Sequence, residues 1–149
     1  MFAHRILVPT DFSPNSEVAL GLATSLARDS RGELVLAHVE TIPLTAAGGE
    51  YFYAVPEPPT EELMEKLQHV TLPDSQVPVE RRLLAGDPAD AIVRIAEAEH
   101  IDLIVMGTHG RKGLSRLLMG SVAESVVWEA PCPVLTIKQP ITVTAGVPA

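Results

Sequence analysis

"VMGTHGRKGLSRLLMGSVAESVV", residues 105–127, leaves an apolar run, passes three spaced glycines and enters a helical pattern. The glycines are Gly107, Gly110 and Gly120. Glycine in a regular element costs roughly 0.5–1 kcal/mol relative to alanine, because it has more conformational freedom to lose on folding. Three explanations are open for such a stretch: a tight turn, a crowded packing site or a bound ligand.

Outward from this stretch, short apolar runs alternate with helical patterns along the chain. Several of the runs are continuous, as in strands that are buried on both faces. The alternation predicts an α/β fold, a parallel sheet with helices on both faces. With 149 residues, of which 46% are hydrophobic, the chain is predicted to form one domain over 1–149. Strands are predicted over residues 5–10, 33–39, 79–84, 102–107 and 133–138.

The first helix is predicted between the first two strands. It follows Ser13, a residue type that caps helices, and Gly32 stops it. The spacing of Val18, Leu22 and Leu26 predicts that these side chains form its buried face.

Two more helices are predicted in the second half of the chain. One has Asp87 as N-cap and Pro88 at its first position, and its inward residues are predicted to be Ile92, Ile95 and Ala96. The last begins at Ser121, where a capping box is predicted: the Ser121 hydroxyl accepts from the Glu124 N–H and the Glu124 carboxylate reaches back. Trp128, late in that helix, is predicted to pack in the interior.

Three segments carry weaker signals. Residues 60–70 predict a weaker helix. Residues 41–59 contain several prolines and a Gly-Gly pair and are predicted to be a long connection, and residues 139–149 are predicted to be a loose tail.

Composition excludes several classes of protein. The formal net charge of −8 argues against a general nucleic-acid binder, whose affinity comes from many Lys and Arg on phosphates. The one cysteine, Cys132, cannot form an internal disulfide and is predicted to be a small buried hydrophobe. No apolar run approaches the ~18–20 residues of a membrane span, and the first residues lack a signal-peptide pattern, so a cytoplasmic location is expected.

The glycine stretch runs from the carboxyl end of a strand to the start of a helix, which is where open α/β sheets bind ligands. Free N–H groups there, with a partial positive charge of ~0.5 from the helix dipole, favour an anion. The dipole adds only ~0.3–1 kcal/mol, whereas micromolar binding needs ~8 kcal/mol. Contacts to a base must therefore contribute, which favours a nucleotide over free phosphate.

The spacing Gly107-x-x-Gly110, nine residues, then Gly120-Ser121 resembles the G-2x-G-9x-G-(S/T) motif of the ATP-binding universal stress proteins. The blocks "ILVPTDFS", "HVE", "GDPADAIV" and "APCPVLTIK" also follow the order of that family. The resemblance implies a five-stranded parallel sheet in the order 3-2-1-4-5. The first and fourth strands would then lie side by side, and Asp11 and Gly107 would line one crevice.

The resemblance also implies which residues bind the nucleotide. Three glycines, Gly107, Gly110 and Gly120, would hold the phosphates together with Ser121, and the Val39 backbone would contact the adenine edge. Asp11, with its neighbours Pro9 and Thr10, would approach the adenosine. The full set of residues is Pro9, Thr10, Asp11, Val39, Met106, Gly107, His109, Gly110, Arg111, Gly120, Ser121 and Val122.

Several of these residues have a second interpretation. Asp11 could serve only to turn the chain before the first helix, and Ser121 caps its helix with or without a ligand. Arg111 and Lys112 could be solvated surface, and His109 a polar surface residue. His38, at a strand end, shows no partner in the sequence.

The sequence favours a regulatory nucleotide-binding protein over an efficient enzyme. It contains no Ser-His-Asp order, no Walker A lysine-serine pair and no clustered metal-ligand spacing. Asp11 is the only acid near the expected phosphates, so slow ATP hydrolysis at most is predicted, with Mg²⁺ carried by the phosphates. The alternatives are a nucleotidyl-transfer enzyme of similar architecture and a dimeric scaffold that needs no nucleotide.

The strand at 133–138 is predicted to form a homodimer. In the strand order that the resemblance implies it lies at an edge of the sheet, where unpaired N–H and C=O groups invite another chain. Two such edges related by a two-fold axis would pair antiparallel, as in the usual dimer of the family.

Overall fold

In a computed structural model of the protein, residues 3–41, 44–47, 50–53, 60–108 and 119–138 are described. Outside residues 44–53, strands and helices alternate along these segments as the sequence predicts. In chain order the elements are β1 (Arg5–Pro9), α1 (Pro14–Ser30), β2 (Glu33–Glu40), β3 (Leu44–Ala47), β4 (Glu50–Tyr53), α2 (Thr60–Gln68), β5 (Val79–Ala85), α3 (Pro88–Ala98), β6 (Leu103–Gly107), α4 (Ser121–Glu129) and β7 (Val134–Ile137).

Five parallel strands form the main sheet in the order β5-β2-β1-β6-β7. This confirms the expected order 3-2-1-4-5, counted over the strands of this sheet. From β1 the chain passes to β2 on one side, and it later returns through α3 to β6 on the other side. The crevice beyond the carboxyl ends of β1 and β6 is therefore the point where the connections diverge, the place at which such sheets bind ligands.

Apolar side chains fill both faces of the sheet. Because successive strand residues point to opposite faces, Ile6 and Val8 of β1 pack beneath α1 and α2, whereas Leu7 packs beneath α3 and α4. Asp87 caps α3 by accepting a hydrogen bond from the Asp90 N–H at 3.1 Å, as predicted. The predicted inward residues of α3, Ile92, Ile95 and Ala96, are all buried.

The predicted buried face of α1 is wrong. Val18 and Leu22 are 36% and 40% exposed, and Leu26 is only partly buried against the core. The helix buries a row of small residues, which lets it approach the sheet closely and leaves the larger side chains on its flank. The buried residues of α1 are Asn15, Ser16, Ala19, Leu20, Ala23, Thr24 and Ala27.

The connection predicted over 41–59 contains an antiparallel hairpin. Strands β3 and β4 pair from Leu44 opposite Tyr53 to Ala47 opposite Glu50. Gly48 and Gly49, between the two strands in the sequence, lie outside the described residues. The tail at 139–149 lies outside the described residues.

Two side chains predicted to be interior are not. Trp128 is 81% exposed, because the last turn of α4 directs it away from the sheet. Cys132 is partly buried and packs against the core beneath α4. Burial raises the pKa of its thiol, and the nearby Asp102 carboxylate adds to that effect.

A network of charged side chains lies at the amino ends of the strands. Arg5 of β1 pairs with Glu33, Glu80 and Glu99, and Arg82 pairs with Glu80 and Glu99. Burial acts to raise the pKa of Glu99, but hydrogen bonds from the two arginines outweigh it and the pKa is lowered. The network fastens the end of α3 to β1 and β5, at the opposite end of the sheet from the crevice.

Candidate functional site

The end of β6 and the start of α4 meet at one wall of the crevice. The Gly120 N–H donates to the Thr108 carbonyl at 2.6 Å, and the Thr108 N–H donates to the Ile137 carbonyl at 3.0 Å. These bonds hold the first turn of α4 beside the carboxyl ends of β6 and β7. The structure thus brings together Gly107, Gly120 and Ser121, three of the residues expected to hold phosphates.

The turn from β1 to α1 forms the facing wall. Thr10, which is buried, donates its N–H to the Ala37 carbonyl at 2.8 Å, the last rung between β1 and β2. Its hydroxyl oxygen lies 3.1 Å from the Ser16 hydroxyl and accepts from the Phe12 N–H at 3.1 Å. Thr10 thereby ties the turn both to β2 and to the first turn of α1.

Asp11 performs the turn-forming role that was its second interpretation. Its Oδ1 accepts a hydrogen bond from the Ser13 N–H at 3.0 Å, and Ser13 in turn caps α1 by accepting from the Ser16 N–H at 3.3 Å. A carboxylate has two oxygens and about four acceptor sites, so this bond is compatible with a ligand contact at the same side chain.

The backbone of Val39 faces the space beyond the end of β1. In a parallel sheet alternate residues of a strand direct their N–H and C=O groups to the same neighbour. Ala37 is bonded to β1, and the register of β1 with β2 ends at Pro9 opposite Ala37. Val39, two residues further on, therefore presents its N–H and C=O at the open end of β1.

The two described glycines of the motif are not required for a left-handed backbone. Gly107 ends a strand, and a Cβ built on it would overlap Asn15 Nδ2 and lie 2.8 Å from Asn15 Cγ. Close packing of α1 against β6 thus accounts for Gly107. Gly120 has φ −60° and ψ 151°, a conformation open to other residues, so the backbone does not require a glycine there.

The predicted capping box at Ser121 is wrong by one residue. Gly120 is the N-cap of α4, Ser121 is already in the helix, and the Glu124 N–H donates to the Gly120 carbonyl at 2.9 Å. Among the residues that the structure describes, no side chain caps this terminus. The first N–H groups of an α-helix have no acceptor within it, so this end of α4 presents donors to the crevice.

The other predicted residues differ in what they can offer a ligand. Met106 is buried beneath α4 and Val122 packs partly against the same core, so their backbone groups are what they bring to the crevice. His109, Gly110 and Arg111 lie outside the described residues.

The sequence analysis missed a small cluster behind the β1–α1 turn. His38 Nδ1 lies 2.7 Å from the Thr10 carbonyl oxygen, and its ring packs 4.5 Å from the Phe12 ring. Lys66 Nζ lies 4.8 Å from the centre of the Phe12 ring. The signal that could have found it is the strand order, which places the end of β2 beside the turn after β1.

The groups that the crevice offers are backbone N–H and C=O groups, which can form hydrogen bonds to a ligand. Among the described residues, no group of three His, Cys, Asp or Glu side chains is arranged to hold a metal ion. In the same part of the chain, none of the helices is both long and apolar enough to cross a membrane.

Comparison with known proteins places the chain in a family. Residues 3–138 match the Universal stress protein family. A universal stress protein of Methanocaldococcus jannaschii, MJ0531, is 38% identical over 140 residues, which cover 91% of this chain and 82% of that protein.

Solved structures agree with this match. The structure of MJ0577, from the same archaeon, has a TM-score of 0.76 and 30% identity, and covers 95% of this chain and 100% of its own. A universal stress protein from Archaeoglobus fulgidus, solved in complex with dAMP, has a TM-score of 0.66 and 26% identity, and covers 93% of this chain and 100% of its own. The chain belongs to the universal stress protein family.

Proposed function

We propose that the protein binds an adenine nucleotide, ATP with Mg²⁺, in the crevice between the β1–α1 turn and the start of α4. The observation that carries this proposal is the open end of β1: the register of β1 with β2 ends at Pro9 opposite Ala37, so Val39 pairs with Leu84 of β5 and has no residue of β1 opposite it. An adenine edge has a donor and an acceptor side by side, which complement a backbone C=O and N–H. The dAMP complex of the Archaeoglobus fulgidus relative supports the same class of ligand.

The phosphates extend from the adenosine toward α4 in this proposal. The N–H groups of Ser121 and Val122, which no described side chain caps, face them beside the backbone of Gly107. Gly110 and Arg111, which lie between these points in the sequence, complete the phosphate site. Mg²⁺ arrives with the phosphates and keeps most of its water, because this ion prefers phosphate oxygens and water to an all-protein cage.

The proposed role is regulatory, with slow or no hydrolysis. Asp11 is the acid that the turn brings to the crevice, and it is engaged with the Ser13 N–H. Phosphoryl transfer depends on positioning and on charge stabilisation by several groups, so one engaged carboxylate supports little catalysis. Bound ATP is therefore expected to stay unhydrolysed over many minutes. Chromatography of the bound nucleotide measures this.

Thermal unfolding with ATP and Mg²⁺ tests the binding proposal. A ligand at 100 times its Kd adds ~2.7 kcal/mol to the folded state, which raises the melting temperature of a chain of this size by about 5–11 °C. Millimolar ATP without any shift would contradict the proposal.

Two variants test the site within that assay. Gly120→Val is expected to abolish the shift, because its side chain would occupy space at the phosphates, and Gly110→Val is expected to do the same. Gly21→Ala is the control, since a Cβ at Gly21 meets nothing within 4 Å. Normal binding by the valine variants would show that these glycines serve packing alone.

We also propose that β7 joins two copies of the chain. This strand is at an edge of the sheet, and Leu135 is 38% exposed on it. An antiparallel pairing of two β7 strands would satisfy the edge and close on itself.

A further inference from the structure

The side chain of His38 reaches from β2 to the turn after β1. His38 lies on the same face of the sheet as Leu34 and Leu36, which pack beneath α1 and α2. Its Nδ1 lies 2.7 Å from the Thr10 carbonyl oxygen. A carbonyl oxygen only accepts hydrogen bonds, so Nδ1 carries the proton and donates.

The Thr10 carbonyl, which accepts this bond, is the group to which the next hydrogen bond of the β1–β2 ladder would run. The Thr10 N–H donates to the Ala37 carbonyl, and in a parallel ladder the next rung would run from the Val39 N–H to the Thr10 carbonyl. The His38 imidazole is bonded to that carbonyl. In the described residues the register of the two strands ends at Ala37.

The turn contains a residue, Phe12, whose backbone conformation is rare for residues other than glycine. Phe12 has φ +65°, in the left-handed region, which is unfavourable for a residue other than glycine. Its ring packs against the His38 ring, and Nζ of Lys66 in α2 lies over the Phe12 ring, 4.8 Å from its centre. Groups from β2 and α2 thus keep Thr10, Asp11 and Phe12 in one conformation.

We propose that His38 is a positioning residue of the nucleotide site. By bonding the Thr10 carbonyl it stops the ladder one rung early, which leaves the Val39 N–H and C=O for the base edge and sets the orientation of the Thr10–Asp11 peptide. This inference rests on the proposed adenine-nucleotide site. It assigns to His38 an effect on base selection: adenine accepts at N1 and donates from N6, whereas hypoxanthine donates from N1 and accepts at O6.

Calorimetry with ATP and with inosine triphosphate, each with Mg²⁺, tests the inference on three variants. His38→Leu removes the donor and is expected to weaken ATP binding by about tenfold, the factor typical of one lost hydrogen bond. The preference for ATP over inosine triphosphate should fall by a similar factor. His38→Asn keeps an N–H near the position of Nδ1 and is expected to stay within about threefold of wild type.

His69 supplies the matched control. Its Nδ1 lies 2.7 Å from the Glu65 carbonyl oxygen on the exposed side of α2, so it makes the same kind of bond away from the crevice. His69→Leu is expected to leave both affinities unchanged.

Amide hydrogen exchange without nucleotide gives a second measurement. The Phe12 and Ser13 N–H groups have their acceptors within the turn, at Thr10 Oγ1 and Asp11 Oδ1. Their exchange should be faster in His38→Leu and unchanged in His38→Asn.

The possible results distinguish the proposed nucleotide binding from the inference about His38. Wild-type protein that binds no ATP would overturn the proposed function and this inference with it. ATP binding by wild type and by His38→Leu with equal affinity and selectivity would overturn the inference alone. His38→Asn as weak as His38→Leu would show that the ring and not the hydrogen bond matters, and would also overturn it.

Discussion

Gly107→Ala is predicted to destabilise the fold because of Asn15, with no ligand involved. The new Cβ would overlap Asn15 Nδ2 and lie 2.8 Å from Asn15 Cγ, whereas carbon atoms in contact prefer about 3.5–4.0 Å. Asn15 is buried in the first turn of α1, and its backbone oxygen would be 3.3 Å from the same Cβ. Rotation of the amide about the Cβ–Cγ bond leaves Cγ in place, so it does not relieve the overlap, and the Asn15 side chain must shift together with the start of α1.

Overpacking of this kind costs about 1–3 kcal/mol, which corresponds to a fall in melting temperature of about 2–12 °C for a chain of this length. Urea unfolding without nucleotide, followed by circular dichroism, measures the loss. A double-mutant cycle identifies its source, since Asn15→Ala removes the overlapping atoms. In that background Gly107→Ala should cost less than about 0.5 kcal/mol, the limit of additivity between independent sites.

Gly21→Ala is the control for the glycine-to-alanine change itself. Gly21 lies in the interior of α1 with open space at its Cβ position, so alanine should stabilise the protein by about 0.5–1 kcal/mol. Gly107→Ala as stable as wild type would refute the packing explanation and leave the ligand as the reason for this glycine.

Three other predictions follow from the charged network, the sheet edge and the proposed metal. Arg5 and Arg82 lower the pKa of Glu99, so the contribution of this carboxylate to the free energy of unfolding is complete above its ordinary pKa of ~4.3 and is lost as the pH falls through the lowered value. Glu99→Gln should therefore remove that part of the acid dependence, which urea titrations between pH 3 and pH 7 measure. Light scattering should show a dimer that Leu135→Lys or Ile137→Pro converts to a monomer, and a dimer that neither variant affects would exclude β7 as the interface. Calorimetry should detect Mg²⁺ binding only with nucleotide present, and tight binding of Mg²⁺ alone would contradict a metal carried by phosphates.

The parts of the fold that were predicted correctly from local patterns depend on residues that are close together in the sequence. The Asp87 cap and the inward face of α3 follow from short patterns, and the structure confirms both. The strand order came from the resemblance to the family, and the structure confirms it as well.

The wrong predictions concern features that depend on tertiary packing, such as the buried face of α1, or on a shift of one residue, such as the N-cap of α4. At the start of α4, glycine and serine are both acceptable N-caps, and the structure uses Gly120 where Ser121 was predicted. In α1 the spacing of large apolar residues predicted Val18 and Leu22 as buried, but the close approach to the sheet selects small side chains instead.

The positions of the candidate site residues depend on the same two kinds of information. Gly107 ends β6, Thr10 and Asp11 follow β1, and the resemblance to the family was needed to connect them. The role of His38 depends on β2 lying beside β1 and on the left-handed backbone of Phe12, neither of which a local pattern reveals.

The exposure of Trp128 has a spectroscopic consequence. It is the single tryptophan of the chain, and at 81% exposure its indole lies in water in the native state much as it does in the unfolded state. Its emission wavelength should therefore change little on unfolding. A molecule that covers the outer face of α4 would remove water from the indole and shift the emission to the blue, so the intrinsic fluorescence of this protein reports association at that face and not the folding of the chain.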